Sequence, residues 1–225
     1  MTSKADKSNA VVLFSGGLDS TVCLYYALKK RKRPIALSFD YSQRHRVELK
    51  RAAAITYRLG VEHRVIRLDT EVFLGSSLTE KQLKVPKGSV SDGKIPNTYV
   101  PGRNMLFLSF AVSVAEGRGC REIYIGVNAL DYSGYPDCRP EFISAFQNAA
   151  DIGTKAGNSG RKIKIITPLQ EMTKKDIILL GKKLNVPFDM THSCYDPDRN
   201  GRPCGKCESC LLREKGFKEA LGDES

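Results

Sequence analysis

The sequence predicts an α/β fold in which helices cover both faces of a parallel sheet, giving three layers, with a helical tail at the C-terminal end. Three observations lead to this prediction. Apolar runs of strand length alternate with stretches of helical spacing. A Ser-Gly-Gly turn joins the first apolar run to the first helical stretch. Four of the seven cysteines crowd into residues 194–210, which marks a separate segment at the end of the chain.

The first predicted unit is a strand, a tight turn and a helix. Val11 to Phe14 has the length of a buried strand, and a helix begins near Asp19. Between them, Gly16 and Gly17 let the backbone approach a ligand closely. Three hydroxyl side chains in this region can donate hydrogen bonds, namely Ser15, Ser20 and Thr21. Because the N–H groups and the dipole of a helix start attract anions, the sequence predicts an anion site here.

The same turn lacks the Gly-Lys-Ser/Thr of the P-loop in kinases and GTPases. It resembles instead the PP-loop of the ATP pyrophosphatase superfamily, which holds a triphosphate so that the α-phosphorus is attacked and pyrophosphate leaves. An ordinary glycine-rich turn is the alternative. On the resemblance, ATP is expected to bind at Phe14, Ser15, Gly16, Gly17, Leu18, Asp19, Ser20, Thr21, Val22, Cys23 and Leu24.

Strands and helices continue to alternate after this unit. Ile35 to Asp40 and Glu62 to Asp69 are predicted strands, and His45 to Leu59 is a predicted helix with Gly60 as its C-cap. This order is typical of a parallel sheet with right-handed crossovers. Ligands of such sheets bind beyond the carboxyl ends of the strands, where Ser15 is expected.

An irregular stretch over residues 75–103 predicts a lid or a disordered segment. The elements predicted after it are the helices Met105–Glu116, Pro140–Gly153 and Thr173–Leu184 and the strands Glu122–Val127 and Ile163–Thr167. Thr173 is the predicted cap of the last of these helices. Arg103 and Asn104, at a helix start, suit a phosphate or a carboxylate, or serve only as a helix cap and a surface arginine. Lys174 or Lys175, at another helix start, either reaches a phosphate or is solvated.

The loop that follows the fourth strand combines carboxylates, aromatic rings and an amide, as a pocket for a planar polar ring would. Asp131 or Asp137 can accept N–H groups from a guanine-like edge, while Tyr132 or Tyr135 stacks on the ring. A structural loop with Asx-turns is the alternative. The expected substrate-binding residues are Asn128, Asp131, Tyr132, Tyr135, Asp137 and Arg139.

Length, charge and cysteine content exclude several classes of protein. The 225 residues suffice for one domain with a core of its own. No apolar run approaches the roughly 20 residues of a membrane span, and no secretory signal is visible. The net charge of +11 favours anionic ligands such as nucleotides, phosphates or RNA. For the basic residues between Lys29 and Arg67, a solvated helix surface is favoured over a nucleic-acid groove. The odd number of cysteines favours a reducing, cytoplasmic location.

Four cysteines near the C-terminus have the spacing C-x9-C-x2-C-x2-C; they are Cys194, Cys204, Cys207 and Cys210. Two residues between thiolates let consecutive sulfurs face one ion, and four thiolates suit tetrahedral Zn²⁺ in a closed structural site. We therefore expect zinc. An iron–sulfur cluster is the main alternative, and free buried cysteines are another.

Together these motifs resemble the 7-cyano-7-deazaguanine synthase family over about residues 10–217. The matching stretches are Phe14-Ser-Gly-Gly-Leu-Asp-Ser-Thr21, Gln43-Arg-His45, Val100-Pro-Gly-Arg-Asn104, Asp131-Tyr-Ser-Gly-Tyr-Pro-Asp-Cys-Arg139, Ser193-Cys-Tyr195 and Cys204-Gly-x-Cys-x-x-Cys210. The PP-loop is specific only to its superfamily, whereas the run from Asp131 to Arg139 combined with the four cysteines is highly specific. The chain departs in a polar N-terminal extension and a longer loop at 196–200, away from the expected site.

The resemblance implies a Rossmann-like fold of the adenine nucleotide α-hydrolase type and a ligase that forms C–N bonds. Such enzymes convert 7-carboxy-7-deazaguanine, ammonia and ATP to 7-cyano-7-deazaguanine (preQ0) in queuosine or archaeosine biosynthesis. The acid is adenylated and converted to the amide, which is adenylated in turn and loses AMP. Because the chain has no glutaminase domain, free ammonia is the expected nitrogen donor, and relatives suggest a homodimer.

Roles for individual residues follow from the resemblance. Asp19 is expected to aid a Mg²⁺ that bridges the phosphates, and Arg103 and Lys174 to neutralise the departing pyrophosphate. His45 is the candidate for proton transfer from ammonia or the amide. The expected organisation is a flexible tail over 1–9, a PP-loop ATP-binding domain over 10–186, and a zinc-binding segment over 187–225 packed on it.

Two other functional classes fit part of the sequence. A PP-loop enzyme that modifies tRNA directly is also basic and carries cysteines, but such enzymes usually add an RNA-binding domain for which 225 residues leave little room. A non-catalytic zinc-ribbon module that binds nucleic acid explains the charge and the cysteines. It leaves the PP-loop without a role.

Overall fold

The structure, a computed structural model, describes residues 9–30, 32–44, 46–88, 95–130 and 134–222. In these residues five parallel strands form a sheet in the order β3-β2-β1-β4-β5. The strands are β1 (Asn9–Leu13), β2 (Arg33–Asp40), β3 (Glu62–Arg67), β4 (Glu122–Tyr124) and β5 (Lys164–Ile166). The order reverses between β1 and β4, which is where ligands bind in sheets of this type.

Helices cover both faces of the sheet because the residues of the central strand alternate in direction. Val11 packs with α3 (Arg103–Gly117) and α4 (Pro140–Gly153), whereas Val12 packs with the helices of the opposite face. The helices of that face are α1 (Leu18–Lys29), α2 (Val47–Leu59) and α6 (Lys174–Lys183). This arrangement confirms the predicted three-layer α/β fold.

The remaining described helices are short or lie in the tail. They are α5 (Lys155–Asn158), α7 (Glu208–Leu221) and the 3₁₀ turns Thr70–Val72, Pro136–Cys138 and Phe188–Met190. The tail helix α7 packs on α6, where Gly216 permits close contact: a Cβ on it would lie 2.6 Å from Cγ of Lys174. None of the described helices combines the length and the apolar character that crossing a bilayer requires.

Two predicted helix caps are confirmed. Gly60 follows α2 in the left-handed conformation, with φ of +61°. Thr173 caps α6, and its hydroxyl accepts a hydrogen bond from the N–H of Asp176 at 3.3 Å.

The strand boundaries differ from the prediction by one to three residues, and two of these differences have a clear structural reason. β2 begins at Arg33 and includes Pro34, which precedes the first β2–β3 pair at Ile35, so its missing N–H interrupts no bond to β3. β4 ends at Tyr124, three residues early. Beyond it, Gly126 backs onto the start of α1, where a Cβ would lie 3.2 Å from the Asp19 carbonyl group. The chain therefore leaves the sheet to pass this helix.

The described part of the irregular stretch 75–103 forms neither helix nor strand before α3, as predicted, but much of it is fixed to the tail. Lys87 pairs with Cys207 in an isolated antiparallel bridge, and its amine lies 2.9 Å from a carboxylate oxygen of Asp196. Leu78 and Val85 are buried in the core. Its action as a lid stays a prediction. The predicted tail over 1–9, apart from Asn9 in β1, lies outside the described residues.

Candidate active site and cysteine cluster

The PP-loop is packed against the first turn of α2, and this contact requires glycine. Gly16 has φ of +84°, and a Cβ on it would lie 2.5 Å from the carbonyl oxygen of Glu48 and 2.7 Å from the nitrogen of Ala52. Both are backbone atoms, so neither can rotate aside. Gly17, the N-cap of α1, makes no side-chain cap hydrogen bond. Packing on α2 therefore holds the loop, and the helix start has no side-chain cap.

Three hydroxyl groups hold the PP-loop in shape. The Ser15 hydroxyl accepts a hydrogen bond from the N–H of Gly17 at 3.1 Å and lies 3.0 Å from the Ser20 hydroxyl. The Thr21 hydroxyl donates to the Gly17 carbonyl at 2.7 Å. The loop is thus folded by its own side chains, which reduces the entropy lost when a ligand binds.

Two helix starts meet in an ion pair beside the loop. Asp19 lies in the first turn of α1 and Lys174 is the first residue of α6, with its Nζ 2.7 and 2.8 Å from the two carboxylate oxygens. The side-chain amide of Asn128 donates to the same carboxylate at 3.3 Å. The structure therefore brings three predicted site residues into one cluster.

Arg103 lies at the start of α3. Together with Tyr41 and Glu48 it forms a second cluster of titratable side chains. Burial by itself lowers the pKa of Arg103, but Tyr41 and Asp137 stabilise the guanidinium, and the net pKa lies above its usual value. Burial raises the pKa of Tyr41, while Arg103 acts in the opposite direction. Burial also raises the pKa of Glu48, to about 8, although the charge of Arg103 lowers it.

Asp137 and Cys138 anchor the start of α3. The N–H of Asn104 donates to the Asp137 carboxylate at 2.9 Å, and the Asn104 amide donates to the Cys138 sulfur at 3.1 Å. Asp137 is buried and Arg139 is exposed. The Asp137 carboxylate thus already accepts a backbone hydrogen bond, and its reading of a purine edge stays a prediction.

Tyr135 connects this loop to the tail. Its hydroxyl lies 2.9 Å from the Thr98 hydroxyl and is also hydrogen-bonded to Tyr195. Burial raises the pKa of Tyr135, so the phenol stays protonated and available for hydrogen bonding at neutral pH.

Residues 191–193, near the start of the tail, pack against the PP-loop. The N–H of His192 donates to the Gly16 carbonyl at 3.1 Å. Arg213, on α7, donates to the hydroxyls of Thr191 and Ser193 at 2.8 and 3.3 Å. Burial lowers the pKa of Arg213, and the charge of Asp19 acts against this shift. The tail is therefore part of the site's wall.

These pieces enclose a cleft of about 230 Å³ at the carboxyl ends of β1, β2 and β4. The predicted residues on its wall are Phe14, Ser15, Gly17, Leu18, Asp19, Ser20, Arg103 and Tyr135. Val22, Cys23 and Leu24 are fully buried in the core below the loop, away from this wall. The predicted residues His45, Asp131 and Tyr132 lie outside the described residues, so their roles stay predictions.

The four predicted cysteines converge, with all sulfurs within 4.8 Å of one another. Four thiolates around one ion at about 2.3 Å lie about 3.8 Å apart, and the sulfurs of Cys194 and Cys207 are 4.0 Å apart. The N–H groups of Cys204 and Cys207 donate to the sulfurs of Cys194 and Cys204 at 3.2 and 3.3 Å. Such donors stabilise thiolates, so the donor set fits a single metal ion.

Comparison with known protein families gives a match over nearly the whole chain. A family model described as queuosine biosynthesis protein QueC matches residues 9–221. The chain belongs to the QueC family.

Curated relatives of this QueC chain cover nearly its whole length. The 7-cyano-7-deazaguanine synthase of Leptospira interrogans is 62% identical over 97% of this chain and 90% of its own length. The enzyme of that name in Myxococcus xanthus is 54% identical over 94% of this chain and 93% of its own. Among solved structures, NMN synthetase from Francisella tularensis has a TM-score of 0.51 and 16% identity, covering 95% of this chain and 87% of that one, and shares the fold.

The QueC cleft also contains residues that the sequence analysis did not assign to it, namely Tyr41, Glu48 and His192. Glu48 offered a readable signal, since it is a carboxylate in the first turn of the helix that follows β2. Arg213 offered another, because it lies three residues after Cys210 and so about one helical turn from a predicted metal ligand.

Proposed function

We propose that this QueC family member makes 7-cyano-7-deazaguanine, the preQ0 of queuosine biosynthesis, from 7-carboxy-7-deazaguanine, ammonia and ATP. Family membership over residues 9–221 carries the proposal, because curated relatives that align with more than nine-tenths of the chain are named 7-cyano-7-deazaguanine synthases. The protein is accordingly a ligase that forms C–N bonds. These names give no support to direct modification of RNA.

The reaction consists of two activations. The substrate carboxylate attacks the α-phosphorus of ATP, which gives an acyl-adenylate and releases pyrophosphate, and ammonia then displaces AMP. The oxygen of the resulting amide is adenylated by a second ATP, and loss of AMP leaves the nitrile. The protein must hold each attack in line, neutralise the departing pyrophosphate and exclude water from the adenylates.

The PP-loop end of the cleft suits the phosphates. The start of α1 has no side-chain cap, and the hydroxyls of Ser15 and Ser20 stand beside it. Lys174 is held next to the loop by Asp19, and Arg103 brings a second cation to the cleft wall. We assign charge neutralisation to these two cations. A Mg²⁺ bound with the triphosphate would supply further positive charge, and Asp19 is the carboxylate of the loop that would help to hold it.

The remainder of the cleft suits the deazaguanine ring. Phe39, Phe107 and Ile125 form an apolar part of the wall, which excludes water from the adenylated carbon. Tyr135 lines the same cleft and offers both a ring and a hydroxyl. We place the ring here, with Asp131 as the proposed acceptor for its N–H edge.

We further propose that the four cysteines bind Zn²⁺ in a structural site. Sulfurs within 4.8 Å of one another suit one ion, whereas an iron–sulfur cube places four iron atoms between its thiolates and separates them further. A bound ion would fix Ser193 and Tyr195, the neighbours of Cys194 that line the cleft. Metal analysis is expected to give about one zinc per chain in a colourless protein; a brown absorbance band would reverse the assignment.

The direct test of the function is product formation. With Mg²⁺, ATP, ammonium and 7-carboxy-7-deazaguanine, we expect mass spectrometry to detect the nitrile together with AMP and pyrophosphate. Without ammonium, the nitrile is absent. No nitrile from the zinc-loaded, folded protein under these conditions would refute the proposal. The homodimer and the cytoplasmic location stay predictions, which light scattering and cell fractionation would check.

A further inference from the structure

Glu48 is a second carboxylate on the cleft wall, and it lies beside the PP-loop. It belongs to the first turn of α2, whose backbone packs on Gly16. Its Oε1 is 3.8 Å from the point that a Cβ on Gly17 would occupy. The side chain is therefore next to the place proposed for the phosphates and the adenylated carbon.

The surroundings of Glu48 make its carboxyl group a weak acid. Burial raises its pKa to about 8, against the opposing charge of Arg103, and Tyr41 is close enough to interact with it electrostatically. The other titratable groups on the cleft wall are Asp19, Tyr135, Cys138, His192 and Tyr195. A base for proton transfer works best when its pKa lies near the working pH.

Among the described residues, the carboxylates on this wall are Asp19 and Glu48, and their partners differ. Both oxygens of Asp19 contact the ammonium group of Lys174, at 2.7 and 2.8 Å. Glu48 is half-buried and lies close enough to Arg103 for their charges to interact. Two carboxylates in contrasting environments commonly divide the work of charge stabilisation and proton transfer.

The proposed reaction needs a proton acceptor at two points. Ammonia is mostly ammonium at pH 7, and ammonium has no lone pair with which to attack. Nitrile formation removes the last N–H proton from the adenylated amide. A group that accepts the proton in both steps must lie beside the adenylated carbon, where water is excluded.

We propose that Glu48 binds ammonium in the cleft and accepts the protons that the two halves of the reaction release. The proposal rests on the proposed function. In the first half, Glu48 takes one proton from ammonium, the nitrogen lone pair forms a bond to the acyl carbon, and the bond from that carbon to the oxygen of AMP breaks. The attached nitrogen gives its extra proton to the departing AMP.

In the second half, Glu48 has returned its proton to solvent and is again a base. When the amide oxygen attacks the α-phosphorus, one of the two N–H protons leaves with the departing pyrophosphate, so the adenylated amide carries its nitrogen as C=N–H. Glu48 takes this proton, the N–H electron pair completes the C≡N bond, and the C–O bond to AMP breaks with its electrons on the phosphate. Atoms and charges balance without an added oxidant or reductant.

The test compares Glu48→Gln with the parent in three reactions. ATP–pyrophosphate exchange with 7-carboxy-7-deazaguanine is expected to stay within about three-fold of the parent. Amide formation from ammonium is expected to fall by about 10²- to 10⁴-fold, the usual contribution of a general base. Hydroxylamine, a neutral nucleophile at pH 7, is expected to give the hydroxamate at a nearly unchanged rate, because it requires no deprotonation before attack.

A pH profile adds a readout that a structural role would not change. At a fixed concentration of ammonium, the rate of amide formation in the parent should rise with pH as Glu48 ionises and level off above about pH 8. The residual rate of Glu48→Gln should instead follow free ammonia and keep rising above pH 8. Glu48→Asp, which keeps the base, should restore part of the rate. Glu141→Gln is the matched control, since it removes an exposed first-turn carboxylate from α4.

The outcomes separate this proposal from the proposed function. Equal losses with ammonium and hydroxylamine would show that Glu48 only shapes the cleft. Loss of pyrophosphate exchange in the variant would show that it acts on ATP or Mg²⁺ instead. Either result overturns the proposal while the parent still activates its acid. If the parent itself shows no exchange, the proposed function is what fails.

Discussion

The two helix starts that meet at the cleft, those of α1 and α6, are built in opposite ways. Thr173 and Asp176 close the start of α6 with a reciprocal capping box, in which each side chain accepts from the other residue's N–H, at 3.3 and 3.0 Å. Gly17 begins α1 without any side-chain cap. The start of α6 is thus satisfied locally, and it holds Lys174 in a fixed position.

The start of α1 depends on tertiary contacts as well as on the hydroxyl groups of its own loop. Gly16 is packed on the backbone of α2, and its carbonyl accepts a hydrogen bond from His192 of the tail. Uncapped N–H groups at a helix start attract anions. The capped, closed start of α6 therefore positions a cation. The uncapped, open start of α1 is free of a side-chain cap where the phosphates are proposed to bind, and contacts from α2 and the tail hold it in place.

The largest effect is expected from Gly16→Ala, which disrupts the open start. A Cβ at positive φ costs about 1–2 kcal/mol, and the backbone clash about 1–3 kcal/mol more. We therefore expect the free energy of unfolding to fall by about 2–5 kcal/mol in urea titration, with loss of ATP-dependent adenylation.

Gly75→Ala is the matched control for this variant. Gly75 has nearly the same φ, +85°, but a Cβ on it would have no neighbour within 4 Å. The free energy of unfolding of Gly75→Ala should fall only by about 1–2 kcal/mol, the cost of a Cβ at positive φ, and the variant should keep its activity. Equal effects of the two variants would mean that packing on α2 does not hold the loop.

Lys174→Met tests the closed start, because it removes the cation and keeps most of the apolar stem. We expect adenylation, measured as kcat/KM for 7-carboxy-7-deazaguanine, to fall by about 10²- to 10³-fold through loss of charge stabilisation. Lys175→Met, at the exposed neighbouring position, should leave kcat/KM within about two-fold. An equally small effect of both variants would remove Lys174 from the site.

Glu48→Gln tests how the open start responds to pH. Because burial raises the pKa of Glu48 from its usual 4.5 to about 8, its neutral form contributes stability below about pH 4.5 that is lost as the pH rises through about 8. Glutamine cannot ionise. The variant should therefore match the parent near pH 5 and be more stable than it at pH 9 in urea titrations. A pH-independent difference would contradict the assigned burial of this carboxyl group.

The smallest effect is expected from Thr173→Ala, which removes one half of the capping box. Loss of an N-cap costs about 1 kcal/mol, which lowers the Tm of a chain of this size by about 2–4 °C. The activity of the folded protein should barely change, and Thr173→Ser should restore the stability. A large loss of activity with little loss of stability would show that this helix start, too, acts on the ligand.

Sequence reasoning predicted those features that depend on neighbours in the chain. The alternation of strands and helices, the Thr173 cap and the four cysteines are each encoded within short windows. The pairing of Asp19 with Lys174 joins residues 155 positions apart, and the contact between Gly16 and α2 depends on how two elements pack. The burial that raises the pKa of Glu48 is likewise a tertiary property. The sequence places a carboxylate in the first turn of the helix after β2, but it does not show that this group lines the cleft.

The most direct measurement of the central claim, that the open helix start serves to activate a deazaguanine acid, is ATP–pyrophosphate exchange in the absence of ammonium. We predict exchange that depends on 7-carboxy-7-deazaguanine and disappears in Gly16→Ala. Exchange that tRNA drives, and that this acid does not, would contradict the account.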